Sequence, residues 1–108
     1  MRVAVAADPA AGTQLNWRAT ASGTASSDSS DGGVLGYTVD HGDGTVESRT
    51  VRSGCDGGAA VRPVTFSTGE QRHDYQRAGV FRVRVQVQYC ADDGRTETDS
   101  GTRTVQIP

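Results

Sequence analysis

The chain has 108 residues, a formal net charge of −2 at pH 7 and a hydrophobic content of 34%, which suits one small domain with a modest core. Its basic residues are all arginines and are outnumbered by acidic ones, so composition argues against nucleic-acid binding, which needs a basic face. No apolar stretch approaches the roughly 20 residues of a membrane-spanning helix. The 14 glycines, with abundant Ser, Thr and Asp, favour short strands and turns.

The first half of the chain alternates apolar and polar residues, which predicts half-buried strands. In chain order, strands are predicted over residues 2–6, 14–21, 34–40 and 45–52. Residues 22–33, rich in Ser, Asp and Gly, are expected to form a loop. The predicted inward side chains of the second and third strands are Leu15, Trp17, Ala19 and Ala21, then Leu35, Tyr37 and Val39.

The second half predicts further strands over residues 61–67, 70–75, 80–90 and 96–107, with turns at 54–58 and 92–94. The clearest alternation in the chain points Phe81, Val83, Val85, Val87 and Tyr89 inward. Eight short strands without a helix predict an all-β sandwich of two antiparallel sheets, formed by a single domain over residues 1–108.

Three segments resemble the signatures of polycystic-kidney-disease-type (PKD) domains. Residues 37–44 read YTVDHGDG and resemble the family's Y-x-W-D-F-G-D-G, while HDY at 73–75 and AGVFRV at 78–83 resemble its H-x-Y followed by G-x-Y-x-V. Val39 stands where the family has Trp and His41 where it has Phe, and Trp17 is expected to return aromatic volume from the facing sheet. The stretch between Gly44 and His73 is longer than the family pattern.

The resemblance implies an immunoglobulin-like β-sandwich, of a kind found as accessory modules in bacterial surface proteins and secreted hydrolases. The expected function is therefore a non-catalytic extracellular module that spaces neighbouring domains or contacts another protein. Two alternatives remain open, a carbohydrate-binding domain of a secreted hydrolase and a segment stiffened by calcium. No nucleophile motif or paired carboxylate points to an enzyme.

The PKD-like motif residues are interpreted as structural. The glycines of the turn allow positive φ, an Asp can bond its own backbone, and a Tyr at the corner can bond the backbone upstream. His73 is expected to be a hydrogen-bonding partner in that corner, and metal binding by Asp40 and Asp43 is the alternative. The motif set comprises Asp40, Gly42, Asp43, Gly44, His73, Tyr75 and Gly79.

Cys55 and Cys90, in a small polar domain, predict one disulfide and an oxidising compartment outside the cytoplasm, with two free thiols as the alternative. In such a sandwich the strand after Thr45 runs back along the third strand, which brings both cysteines to one end of the sheet. Because Tyr89 points inward, Cys90 is expected on the outer surface. Zinc is not expected, since His41 and His73 alone supply too few ligands.

Two polar surfaces are candidate binding sites. Calcium could be held by acidic loops at the end that carries the cysteines, because flexible carboxylates suit Ca²⁺. A polysaccharide or peptide could be held on the outer face of the main sheet, with an ordinary polar face as the alternative. The calcium candidates are Asp28, Asp31, Asp92 and Asp93, and the face candidates are Asp40, Arg82, Arg84, Gln86 and Gln88.

Overall fold

A computed structural model of the chain describes residues 1–26, 33–52, 54–55, 60–91 and 94–108. Within these ranges the secondary structure consists of strands, and all eight predicted strands are present. They are β1 (Arg2–Ala7), β2 (Gln14–Ser26), β3 (Val34–Asp40), β4 (Val46–Thr50), β5 (Val61–Ser67), β6 (Gln71–Asp74), β7 (Gly79–Cys90) and β8 (Thr96–Ile107).

The strands form two antiparallel sheets of four strands each, which confirms the predicted all-β, two-sheet architecture. Sheet A has the order β1-β2-β5, with β6 also paired to β2, and sheet B has the order β4-β3-β7-β8. Alternate side chains of both sheets meet in one hydrophobic core, because successive residues of a strand point to opposite faces. The predicted inward faces of β2 and β7 are both buried as expected.

Strand β2 is longer than predicted. Residues 22–26 were expected to begin a loop, yet they continue β2 and pair with β5, from Ser22 opposite Thr65 to Ser26 opposite Val61. Ala25 and Ser26 are buried there. Backbone hydrogen bonds to a partner strand therefore overrode a local composition that favours turns.

Leu35 does not share the inward face of β3 as predicted. The pairing of β3 with β7 shifts register between Val34 and Gly36, which inserts Leu35 as an extra residue. Val34 consequently points into the core and is buried, while Leu35 is only half-buried. The carbonyl oxygen of Leu35 accepts hydrogen bonds from the backbone of Val51 and Arg52.

The first and last strands lie side by side across the two sheets and run in the same direction. Gly101 of β8 approaches β1 so closely that a Cβ at this position would lie 2.3 Å from the carbonyl oxygen of Val3. The amino group of Met1 contacts Tyr89 near the cysteine end of sheet B, whereas Ile107 pairs with Gly79 at the other end. The chain thus begins and finishes at opposite ends of a body 49 Å long, 20 Å wide and 16 Å thick.

Among the described residues, no helix has the length and apolar character needed to cross a membrane.

Candidate functional site

The corner after β6 is tied to the end of β3 by a buried hydrogen bond. The hydroxyl of Tyr75 donates to the carbonyl oxygen of His41 at 2.9 Å, and the backbone N–H of Tyr75 donates to Thr13. Burial raises the pKa of Tyr75 to about 12, with the negative charge of Asp43 adding to the effect. The bond joins a residue that follows sheet A to one that follows sheet B, so it holds the two sheets together at this end.

The turn after β3 has the side-chain to backbone bonds expected from its two aspartates. Asp40 accepts a hydrogen bond from the N–H of Gly42 at 2.9 Å, and Asp43 accepts one from Thr45 at 3.0 Å. Gly42 has a φ of 82°, and a Cβ there would lie 2.7 Å from the carbonyl oxygen of Arg82. Both the backbone conformation and the close contact with β7 therefore require glycine at this position.

The turn and the corner bring the two histidines of the chain into contact across the sandwich. The imidazole rings of His41 and His73 stack with centroids 3.7 Å apart and planes 5° from parallel. Nε2 of His73 lies 2.8 Å from Oδ2 of Asp43, and the edge of Trp17 meets His41 with ring centroids 5.8 Å apart. The aromatic volume that Val39 and His41 lack relative to the PKD pattern is thus partly supplied by Trp17 from sheet A.

His41 is the most unusual polar residue in the described structure. Its side chain is fully buried, and neither ring nitrogen has a hydrogen-bond partner among the described residues. Nε2 of His41 lies 3.5 Å from Oε2 of Glu47, which is exposed at the edge of sheet B. Burial lowers the pKa of His41, and the neighbouring His73 lowers it further.

Glu47 reaches His41 because of strand register. It stands directly opposite Val39 in the β3–β4 pair, and residues directly opposite each other point to the same face of a sheet. Glu47 therefore projects from the inner face of an edge strand that sheet A does not cover. We call His41, Asp43, Glu47 and His73 the corner cluster. The sequence analysis did not identify Glu47. The tight turn at 42–44 fixes which residues of β3 and β4 stand opposite each other, and period-2 alternation then places Glu47 on the inner face.

The electrostatics of the corner cluster favour an ionised Asp43 beside a neutral, buried His41. Burial by itself would raise the pKa of Asp43, but the hydrogen bonds from His73 and from the backbone of Thr45 lower it. Within the part of the chain that the structure describes, neither imidazole is hydrogen-bonded to a hydroxyl or a thiol. The corner cluster offers nitrogen and oxygen donors that can bind a cation.

The disulfide prediction is confirmed. Cys55 and Cys90 are bonded, with a Cα–Cα distance of 5.6 Å. The bridge joins the segment after β4 to the last residue of β7 and so does not cross between the sheets. The expected exposure of Cys90 is wrong, because only 1% of this residue is accessible. The half-buried Cys55 covers it, and its sulfur lies 4.0 Å from the hydroxyl of Thr96, the residue paired with Cys90.

The predicted outer-face residues lie on the adjacent strands β3 and β7. Asp40 pairs with Arg84, and both are exposed, as is Arg82, while Gln86 and Gln88 are half-buried. No ion pair joins Asp40 to either arginine in the described residues, since its carboxylate accepts from Gly42 instead. The same face also carries the exposed Val46 opposite Asp40, and its role in binding stays a prediction.

The other candidate sites differ in what the structure says of them. Asp28, Asp31, Asp92 and Asp93 lie outside the described residues, so calcium binding by these loops also stays a prediction. All six aromatic side chains lie within the described ranges, and none of them is exposed. The rows of exposed rings on which sugars stack are therefore not among the described surfaces.

No family model matches the chain, and no curated protein or solved structure matches it significantly. The resemblance to PKD domains accordingly rests on the order of its motifs along the sequence.

Proposed function

We propose that the chain is a non-catalytic, PKD-like extracellular module that spaces or docks neighbouring domains within a larger secreted or surface protein. The observation that carries this proposal is that β1 starts and β8 stops at opposite ends of the sandwich. β1 begins beside Tyr89 at one end of the sandwich, and β8 ends beside Gly79 at the other, along a 49 Å axis. In a module whose first and last strands lie in this way, the domains attached to the two ends are separated by the full length of the sandwich.

Stiffness at both ends supports the same proposal. The Cys55–Cys90 bond anchors the segment after β4 to β7 at the end where the chain begins, and the hydrogen bond from Tyr75 to His41 links the sheets at the opposite end. A spacer keeps a fixed distance between its neighbours only if its ends stay folded. Loops without such links are the usual sites of local unfolding.

The extracellular part of the proposal is supported by the disulfide. Bonds of this kind persist in oxidising compartments, whereas cytosolic thiols are kept reduced. Alkylation of thiols in acid-quenched cells of the native host tests this directly. We expect Cys55 and Cys90 to be unreactive until a reductant is added, and a fully alkylated pair would contradict the assignment.

The spacing role can be tested by placing the chain between two small folded domains that carry spin labels. We expect a narrow distance distribution whose mean exceeds that of a directly fused pair by about the 49 Å axis. The matched control replaces the chain with a Gly/Ser linker of equal length, which as a flexible coil gives a broad distribution. A distribution as broad as that of the control would contradict spacing, and retention of the chain on chitin, cellulose or xylan would favour the carbohydrate-binding alternative.

A further inference from the structure

The corner cluster brings four potential metal ligands together from both sheets. One donor atom each from His41, Glu47 and His73 lies within 4.8 Å of the others, and Asp43 adds a carboxylate oxygen 2.8 Å from Nε2 of His73. Four ligands around zinc, each bonded at about 2.0–2.2 Å, stand roughly 3.3 Å from one another. Side-chain adjustments of about 1 Å or slightly more would therefore close these atoms around an ion.

The buried imidazole of His41 supplies an independent reason to expect a ligand. A neutral histidine has one donor and one acceptor nitrogen, and buried polar groups nearly always find partners. Both ring nitrogens of His41 are buried without a hydrogen bond among the described residues, and Nε2 faces the carboxylate of Glu47. A metal ion bound between Nε2 of His41 and the carboxylate of Glu47, which now lie 3.5 Å apart, would give this nitrogen a direct bond.

The cluster lies at an accessible rim of sheet B, and binding an ion requires one of its rings to move. Glu47 has 59% of its side chain exposed, so an ion can enter from the rim of sheet B. The stacked rings lie in two nearly parallel planes, whereas an ion bound to both imidazoles must lie in the plane of each ring. Binding therefore requires the imidazole of His73, of which 10% is exposed, to turn out of the stack and release Asp43.

We propose that the corner cluster is a zinc site. The ion is bound by Nε2 of His41, Nε2 of His73 and a carboxylate oxygen of Glu47. Asp43 is either the fourth ligand or the hydrogen-bond partner of His73. Two imidazoles and carboxylates form a donor set that suits zinc, whereas calcium takes oxygen ligands. His41 follows a strand of sheet B and His73 belongs to β6 of sheet A, so the ion clamps the sandwich at this end. The site is independent of the spacer role.

Zinc titration of the untagged, oxidised chain tests this site, with calorimetry and thermal melting as readouts. We expect one zinc ion per chain, and a melting temperature raised by about 10–20 °C once free zinc stands roughly a hundredfold above its dissociation constant. Glu47→Gln and His73→Gln should each weaken binding by about tenfold or more. The matched control is Glu70→Gln, because Glu70 also has 59% of its side chain exposed but pairs with Arg18. This variant should bind zinc as the natural chain does.

Cobalt provides a signature of the ligands themselves. A cobalt-loaded chain should show the intense visible absorption of a tetrahedral centre, and His73→Gln should abolish it. Unchanged zinc affinity in both Glu47→Gln and His73→Gln would overturn the proposal, as would equal losses in Glu70→Gln. Stabilisation by calcium alone, removed by substituting Asp28 or Asp92, would assign cation binding to the acidic loops and would also overturn a zinc site at the corner.

Discussion

Removing the disulfide should destabilise this protein strongly, and the size of the effect can be worked out from its position. Cys55 and Cys90 are 35 positions apart. In the chain-entropy model, a cross-link closing a loop of that length stabilises the folded state by about 4 kcal/mol. Each kcal/mol moves the melting temperature of a domain of this size by about 4–8 °C. Reduction should therefore lower the melting temperature by about 15–30 °C.

The assay is calorimetry or circular dichroism of the oxidised chain, the reduced chain and the Cys55→Ala/Cys90→Ala double variant. The reduced chain and the double variant should melt at similar temperatures, apart from the small cavity left at the buried Cys90. Reductant should have no effect on the double variant, which controls for reduction acting elsewhere. A shift of less than about 5 °C on reduction would refute the reasoning, because the unfolded chain would then gain little freedom from losing the bond.

Three further predictions concern the corner and the turn. Tyr75→Phe removes the buried hydrogen bond to the carbonyl oxygen of His41 and should lower the free energy of unfolding in urea by about 1–3 kcal/mol. The control is Tyr37→Phe, which should lower it by less, because the hydroxyl of Tyr37 has no hydrogen-bond partner among the described residues. Because the folded pKa of Tyr75 is about 12, above its value of about 10 in the unfolded chain, stability should decline as pH rises through that window. Two tyrosines should ionise late in absorbance at 295 nm, because the hydrogen bond to Asp99 also raises the pKa of Tyr89. Tyr75→Phe should reduce the late absorbance change and leave the part due to Tyr89, and an undiminished change in this variant would be evidence against the assignment. Gly44→Ala should destabilise the fold by about 1–2 kcal/mol, because Gly44 has a positive φ. Gly42→Ala should destabilise it by more, because Gly42 also has a positive φ and in addition faces a backbone oxygen within contact distance. Equal losses of stability in the two variants would contradict that contact.

Much of the fold was predictable because a half-buried strand alternates apolar and polar residues, a pattern that can be recognised within a few neighbouring positions. Period-2 alternation located β2 and β7 and identified their buried faces correctly, since the side-chain direction of an extended chain repeats every second residue. The same rule failed at Leu35, where one inserted residue reversed the faces. Composition was misleading at residues 22–26, which suggest a loop but pair with β5. Neither a bulge nor a partner strand is encoded in the few residues that an alternation pattern compares.

In the corner cluster, too, some features follow from local sequence patterns and others only from contacts in the tertiary structure. The sequence by itself determined the eight strands and the turn and corner motifs at residues 40–44 and 73–75, because each depends on neighbours along the chain. It also determined which cysteines bond, because the chain has only two. Only the tertiary structure decided that Cys90 is buried, that Glu47 faces His41 and that the ring of His73 stacks on that of His41. Those contacts depend on strand register and on the packing of one sheet against the other. Both are set by residues far apart in the chain.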